Sequence, residues 1–384
     1  MKKVLVIDDS ALMRRVMSDI ISNTNEYVVA YTAANGVEGL RIIEEKDDIV
    51  AIFCDINMPK MNGLELLKII KDRGVETPFI IFSAQGDATD TFNALELGAM
   101  DFIKKPNRIF VDVEFRDKVN KALFIASSIN DKDGVVDATY KNHKNSNHKN
   151  HSTRVISSNR VFSNSENKVS LENVLEDKEK LRGLGVSSGL KARKLVALVC
   201  STGGPKALQS VIPKLPKNLA APVLVVQHMP AGFTDTMANR LNELSEIKVK
   251  EASEGDVLKD GTVYIAKGGT HLAVKEDHGK VSIYFEDTPP IGGLKPCGNI
   301  MYSSICNLFC YDEIVCVVLT GMGADGTKGI MELSGHKKIH VIAQDEKTST
   351  VYGMPKAIYE SGLTDVVCEL NKIAEEITKK VGVL

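Results

Sequence analysis

Four acids, two serines, a lysine and a histidine stand where they could do chemistry. Asp8, Asp9 and Asp55 each follow a short apolar run, Lys3–Ile7 and Val50–Cys54, that ends abruptly in charge. Ser83 and Lys105 follow two further runs, Thr77–Phe82 and Asp101–Ile103. If these runs are parallel strands, their C-terminal ends converge on one sheet edge, where open α/β sheets bind ligands. Three carboxylates brought together repel unless a cation neutralises them. Hard Mg²⁺ suits one or two carboxylates plus water. A carboxylate nucleophile, a metal, an ammonium and a hydroxyl are what phosphoryl transfer to an aspartate requires. In the second half, Ser201 precedes Thr202-Gly203-Gly204-Pro205, His228 ends the next apolar run, and Asp325 follows the one after. A serine at a glycine-rich turn into a helix meets free N–H groups suited to an oxyanion. A histidine base and an acid to orient it would complete a hydrolytic triad. Asp345, at another strand end, competes with Asp325 for the third role. Cys200 neighbours the serine, but adjacent strand positions face opposite ways, so it is expected to pack.

The elements that must position these residues read as two α/β units. Lys3–Ile7, Val50–Cys54, Thr77–Phe82 and Asp101–Ile103 alternate with helical spacings such as Leu12–Ile21, the pattern of a doubly wound parallel sheet. A second series follows: Leu195–Val199, Pro222–Val226, Glu313–Leu319 and Ile339–Ala343, with Pro205 at a helix start. The Gly-rich stretch Val257–Phe285 is expected to form inserted hairpins. Between the units, residues 141–160 carry five cations, no acid and many Asn, Ser and His. Such a segment cannot bury enough apolar surface to fold alone. The boundaries expected are 1–126, a polar linker 127–190 with a short amphipathic helix near Leu171–Leu184, and 191–384. His143, His148 and His151 lack an acid or cysteine at ligand spacing, so a solvated linker is the reading there.

Composition narrows the class. The 384 residues carry 48 Lys and Arg against 50 Asp and Glu. That near balance argues against a nucleic-acid binder at the level of the whole chain. No apolar run reaches the ~18 residues of a membrane span. The N-terminal run is too short for a secretory leader and ends in two acids, so a cytoplasmic protein without direct membrane insertion is expected. Seven cysteines without a C-x-x-C pair indicate neither a disulfide framework nor a zinc site. GMGADG (321–326) matches G-x-G-x-x-G with Asp345 about 20 residues on, the elements of a dinucleotide fingerprint. Asp325 would, however, repel a pyrophosphate, and the motif falls late in its unit.

The motifs VLVIDDSALMRR, FCDINMPKMNGLELL, FSA and GAMDFIKKP make residues 1 to ~125 similar to a response-regulator receiver domain. That resemblance implies a flavodoxin-like fold and Asp55 as phospho-acceptor. Asp8, Asp9 and Asp55 would hold Mg²⁺, Ser83 would be the switch hydroxyl, and Phe102 the switch aromatic. Lys105 would sense the phosphoryl group in preference to neighbouring Lys104, because it directly precedes Pro106. STGGPKAL, VVQHMPAGFT, DGTVYIAKGGTHL, VLTGMGADGTKG and AQDEKTSTVYGMPKAI make residues from about 193 onward resemble the catalytic domain of chemotaxis protein-glutamate methylesterases, the CheB family. This implies a Rossmann-like parallel-sheet α/β methylesterase domain with the triad Ser201, His228 and Asp325. Thr202 would help orient the imidazole and backbone N–H groups near Met322 would serve the oxyanion hole. It implies a histidine kinase as partner, methyl-accepting chemoreceptors as substrate, hydrolysis to glutamate and methanol without a further cofactor, and glutamine deamidation. Val199, Lys267, Cys297 and Asn299 depart from the family pattern. They are expected to leave the triad untouched, with Cys297 and Asn299 bearing on the substrate groove. A non-catalytic, phospho-dependent signalling or scaffold module is the alternative reading.

Overall fold

The computed structural model describes residues 1–84, 88–106, 113–130 and 192–384. The expected linker helix near Leu171–Leu184 and the three linker histidines lie outside them. In the first unit, β1 (Lys2–Ile7), β2 (Tyr27–Ala33), β3 (Ile49–Asp55), β4 (Phe79–Ser83) and β5 (Asp101–Lys104) form one sheet in the order β2-β1-β3-β4-β5, with every pair parallel. The helices between them are α1 (Ala11–Ser22), α2 (Gly36–Glu45), α3 (Gly63–Asp72), α4 (Ala88–Glu96) and α5 (Val113–Asn130). Local sequence starts these helices. Ser10 caps α1, Asn35 caps α2, and Asn62 with Glu65 forms a reciprocal capping box on α3. The strand order reverses between β1 and β3, so Asp8 and Asp55 leave adjacent strands at the switch-point crevice. The boundary expected at 126 falls inside α5: Ala126 is fully buried and the Ser127 hydroxyl lies 2.6 Å from that of Tyr27.

The second unit holds a seven-stranded parallel sheet. Its strands are β6 (Lys194–Cys200), β7 (Val223–Gln227), β8 (Lys248–Glu251), β9 (Thr262–Ile265), β12 (Glu313–Val318), β13 (Lys338–Gln344) and β14 (Val366–Cys368). The order is β14-β13-β12-β6-β7-β9-β8. Leu195 to Cys200 are completely buried, because helices cover both faces of a parallel sheet and leave no polar side. The helices are α6 (Gly204–Val211), α7 (Thr234–Leu244), α8 (Gly298–Ile305), α9 (Thr327–Ser334), α10 (Met354–Glu360) and α11 (Ile373–Val381). The hairpin expectation for Val257–Phe285 is corrected in part. Only β10 (His271–Asp277) and β11 (Lys280–Glu286) form an antiparallel hairpin. The earlier segment, β9, enters the main sheet beside β7 and β8, where Thr262 to Ile265 are all buried. No helix among the described residues is long and apolar enough to cross a membrane.

Candidate active site and receiver site

The second sheet also has a switch point, between β6 and β12. Ser201 follows β6, His228 follows β7, and Asp325 lies in the loop after β12. The Ser201 N–H donates to Thr320 O at 3.0 Å, which ties the end of β6 to the end of β12. Gly203 takes φ +79° at the N-cap of α6, a left-handed value that suits glycine at the sharp turn behind the serine. Gln227, buried at the end of β7, donates from Nε2 to Ser201 O at 3.0 Å and braces this turn. The sequence signal for that brace is its place directly before His228.

His228 Nε2 and Asp325 Oδ2 lie 2.7 Å apart. With Nε2 engaged, Nδ1 is the other nitrogen of the ring. It is buried and lacks a hydrogen-bond partner among the described residues, so the Ser201 hydroxyl is not bonded to it in this conformation. Asp345 takes no part in this pair; its carboxylate accepts from the N–H and hydroxyl of Thr348. Asp325 also accepts from Gly298 N at 2.6 Å, Asn299 N at 3.0 Å and Cys297 Sγ at 3.1 Å. Burial pushes its carboxyl up. The hydrogen bonds from His228, Gly298 and Cys297 outweigh this and hold it at about 2. Asp325 therefore sits at the N-terminus of α8, where it accepts the N–H groups of Gly298 and Asn299.

These contacts correct one expectation. Cys297 and Asn299 do touch Asp325, because α8 begins with no side-chain cap of its own and takes Asp325 as its cap. Asn299 Oδ1 returns the service, accepting from Gly326 N at 3.1 Å and Gly329 N at 2.8 Å at the start of α9. Val199 packs beneath this clasp: a Cβ on Gly298 would fall 2.7 Å from Val199 Cγ2. Lys267 is exposed in the loop after β9. Cys200 is buried, and its thiol donates to Gln227 Oε1 at 3.0 Å.

In the first unit, Asp8 is fully buried and Asp55 is 6% exposed. Lys105 Nζ bridges them, 2.8 Å from Asp8 Oδ2 and 2.7 Å from Asp55 Oδ2, whereas Lys104 lies within β5. Burial pushes the Asp55 carboxyl up, and Lys105 offsets only part of that. Burial also opposes the Lys105 charge, but its bonds to Asp55 and Asp8 hold the ammonium above its ordinary value. Ligand atoms of Asp8, Asp9 and Asp55 all lie within 4.8 Å of one another, an all-oxygen set that fits a hard divalent cation. Ser83 accepts from Thr91 Oγ1 at 2.6 Å.

The receiver touches the catalytic domain beside Ser201, a domain contact that the sequence did not disclose. Asp101 Oδ2 accepts from Thr202 Oγ1 at 2.8 Å, directly beside Ser201. Thr202 thus serves the receiver here, and the structure gives it no hydrogen bond to the imidazole. Phe102 packs on Phe233 with ring centroids 4.8 Å apart. Phe92 of α4 is buried in the core cluster of the second unit, while Met322 and Val351 pack against that of the first. Arg240 Nε binds Glu96 Oε1 at 2.9 Å, and Gln209 donates to the same oxygen at 3.2 Å.

Comparison with known proteins now decides the family. The response regulator receiver domain matches residues 4–111 and the CheB methylesterase matches residues 196–377. A protein-glutamate methylesterase/protein-glutamine glutaminase of Pyrococcus horikoshii is 38% identical over 100% of this chain and 94% of its own. The chain belongs to this family. Its counterpart in Geobacillus kaustophilus is 36% identical over 99% of both chains. Among solved structures, the Thermotoga maritima CheB methylesterase catalytic domain is 41% identical, with TM-score 0.47 over 50% of this chain and 100% of that one. The chain is thus a CheB-type enzyme, a receiver domain followed by a methylesterase domain.

Proposed function

We propose that this enzyme hydrolyses glutamate methyl esters on chemoreceptors under control of phosphorylation at Asp55. The observation that carries the reading is the His228–Asp325 pair at 2.7 Å beside Ser201, with the receiver's Asp101 hydrogen-bonded to the adjoining Thr202. His228 Nδ1 takes the Ser201 proton as Oγ bonds to the ester carbonyl carbon. The tetrahedral oxyanion lies against backbone N–H groups around Met322. Collapse breaks the C–OCH₃ bond, and the leaving oxygen takes the proton from Nδ1 and departs as methanol. Water then gives a proton to Nδ1 and its oxygen to the acyl carbon; the C–Oγ bond breaks, Oγ takes the proton back from Nδ1, and the γ-carboxylate leaves. With a glutamine side chain the same steps expel ammonia.

In the receiver, Asp8, Asp9 and Asp55 would hold Mg²⁺, which neutralises phosphoryl oxygens when bound. Lys105 already pairs with Asp55 and would follow its charge as a histidine kinase phosphorylates it. Ser83 lies at the end of β4, next to β5, which carries Asp101 and Phe102 into the catalytic domain. A hydrogen bond from Ser83 to the new phosphoryl group would reorder that strand and its contacts with Thr202 and Phe233. The expected site of action is the cytoplasm.

Methanol release from methylated chemoreceptor, with and without a small-molecule phosphodonor plus Mg²⁺, tests this. Release should rise with phosphodonor, lose that rise in Asp55→Asn, and disappear in Ser201→Ala. Full activity of Ser201→Ala removes the serine from the mechanism. No release from the wild type under either condition leaves the scaffold reading.

A further inference from the structure

Asp325 receives four donors, and one of them is unusual. Gly298 N, Asn299 N and His228 Nε2 are nitrogen donors; the fourth is the Cys297 thiol, 3.1 Å from Oδ1. Cys297 is 1% exposed. Burial and then the charge of Asp325 push its thiol up to about 12. It therefore keeps its proton at any working pH and can only donate. It is neither a second nucleophile nor a thiolate repelling the acid. Tyr302 of α8 also lies near Asp325; its hydroxyl bonds Ala197 O at 2.8 Å, and the buried thiols Cys200 of β6 and Cys316 of β12 lie near Tyr302 in turn. Burial pushes Tyr302 and Cys200 up as well. Asp325 is thus the anion of the cluster, and His228 the base that shares its charge.

A carboxylate divides its charge among its donors. A thiol is a weak donor compared with a hydroxyl, so the thiol leaves more of that charge for the imidazolium that forms during attack. We propose that Cys297 is a positioning residue that governs, through Asp325, how much negative charge reaches His228. This rests on the triad reading above. It distinguishes two substitutions by sign. Cys297→Ser puts a stronger donor on Oδ1 and should draw charge away from His228. Cys297→Ala removes a donor and should return charge to it.

The test uses the full-length protein. The acid limb of kcat/KM for methanol release, where the base gains a proton, should move down in pH in Cys297→Ser and up in Cys297→Ala. The expected size is about 0.3–0.5 pH unit each way, a fraction of what a full charge-assisted hydrogen bond would give. The proton resonance of the His228–Asp325 hydrogen bond should also move in opposite directions. Shifts of the same sign in both variants, or none in either, overturn the proposal, since a packing role gives no reason for opposite signs. If Cys297→Ala fails to fold, the near-isosteric serine variant decides alone, and an unmoved limb and resonance overturn the idea. If Ser201→Ala retains ester hydrolysis, the triad reading fails separately, while the His228 resonance still reports on the Cys297 contact.

Discussion

Asp325 does two jobs with one carboxylate: it pairs with His228 and it caps α8. Both require the charged form, which is why its carboxyl is held at about 2 despite burial. The folded-state value lies below the unfolded value of ~3.9, so the stability it contributes is present above pH ~4 and lost as pH falls toward 2. A shift of about two units corresponds to about 2–3 kcal/mol on that linkage. Thermal or urea unfolding across pH 5 to 2 should show the wild type losing about that much relative to Asp325→Asn; parallel curves for the two proteins would contradict it. Asp55 has the opposite sign. Burial raises it, so its nucleophilic form is depleted at mildly acidic pH sooner than for a free aspartate. Lys105 offsets part of that cost. Lys105→Ala should therefore push Asp55 further up and slow phosphorylation by a small-molecule donor most on the acid side, measured as initial rates against pH.

Among elements, the clasp between α8 and α9 fixes where Asp325 stands. Each helix lacks a side-chain cap on its own N-cap residue and takes one from the other. Losing such a cap costs about 1–2 kcal/mol. Asn299→Ala should show that loss in unfolding experiments and a reduced kcat, whereas Asn299→Asp keeps the acceptor for Gly326 and Gly329 and should retain most of the stability. The meeting of His228 with Asp325, and the place of Ser201 at the adjoining strand end, were legible in the sequence because residues just past the ends of parallel strands converge, whichever helices intervene. The receiver acids were legible for the same reason. The clasp was not, because nothing in the spacing of Cys297 and Asp325 says that two helix starts meet. β2 escaped notice because it is an edge strand with a half-exposed pattern rather than an apolar run. β9 looked like part of a hairpin because four residues of strand do not reveal whether their partner is the next strand or a distant one.

For the whole molecule, the decisive contact is the one between domains, which no local pattern encodes. The receiver presents α4 and β5 to the catalytic domain. Phe92 and Phe102 supply the apolar part, and Asp101 with Glu96 the polar part. Asp101 lies in this interface, where burial raises its carboxyl, so it contributes placement beside Ser201 more than binding strength. Glu96 takes Arg240 at one carboxylate oxygen and again more loosely at the other, 2.9 and 3.4 Å. Partly exposed pairs of this kind are weak and screened by salt. If the docked arrangement restrains hydrolysis, breaking the pair should release it modestly. Glu96→Ala and Arg240→Ala should each raise methanol release without phosphodonor by about two- to five-fold. The double variant should do no more than Glu96→Ala alone, which already removes the Arg240 contact together with that of Gln209. Raising ionic strength should increase wild-type basal release and leave the variants nearly unchanged. Additive effects of the two substitutions, or a fall in basal activity, would mean that the docked receiver does not restrain the Ser201 site through this pair.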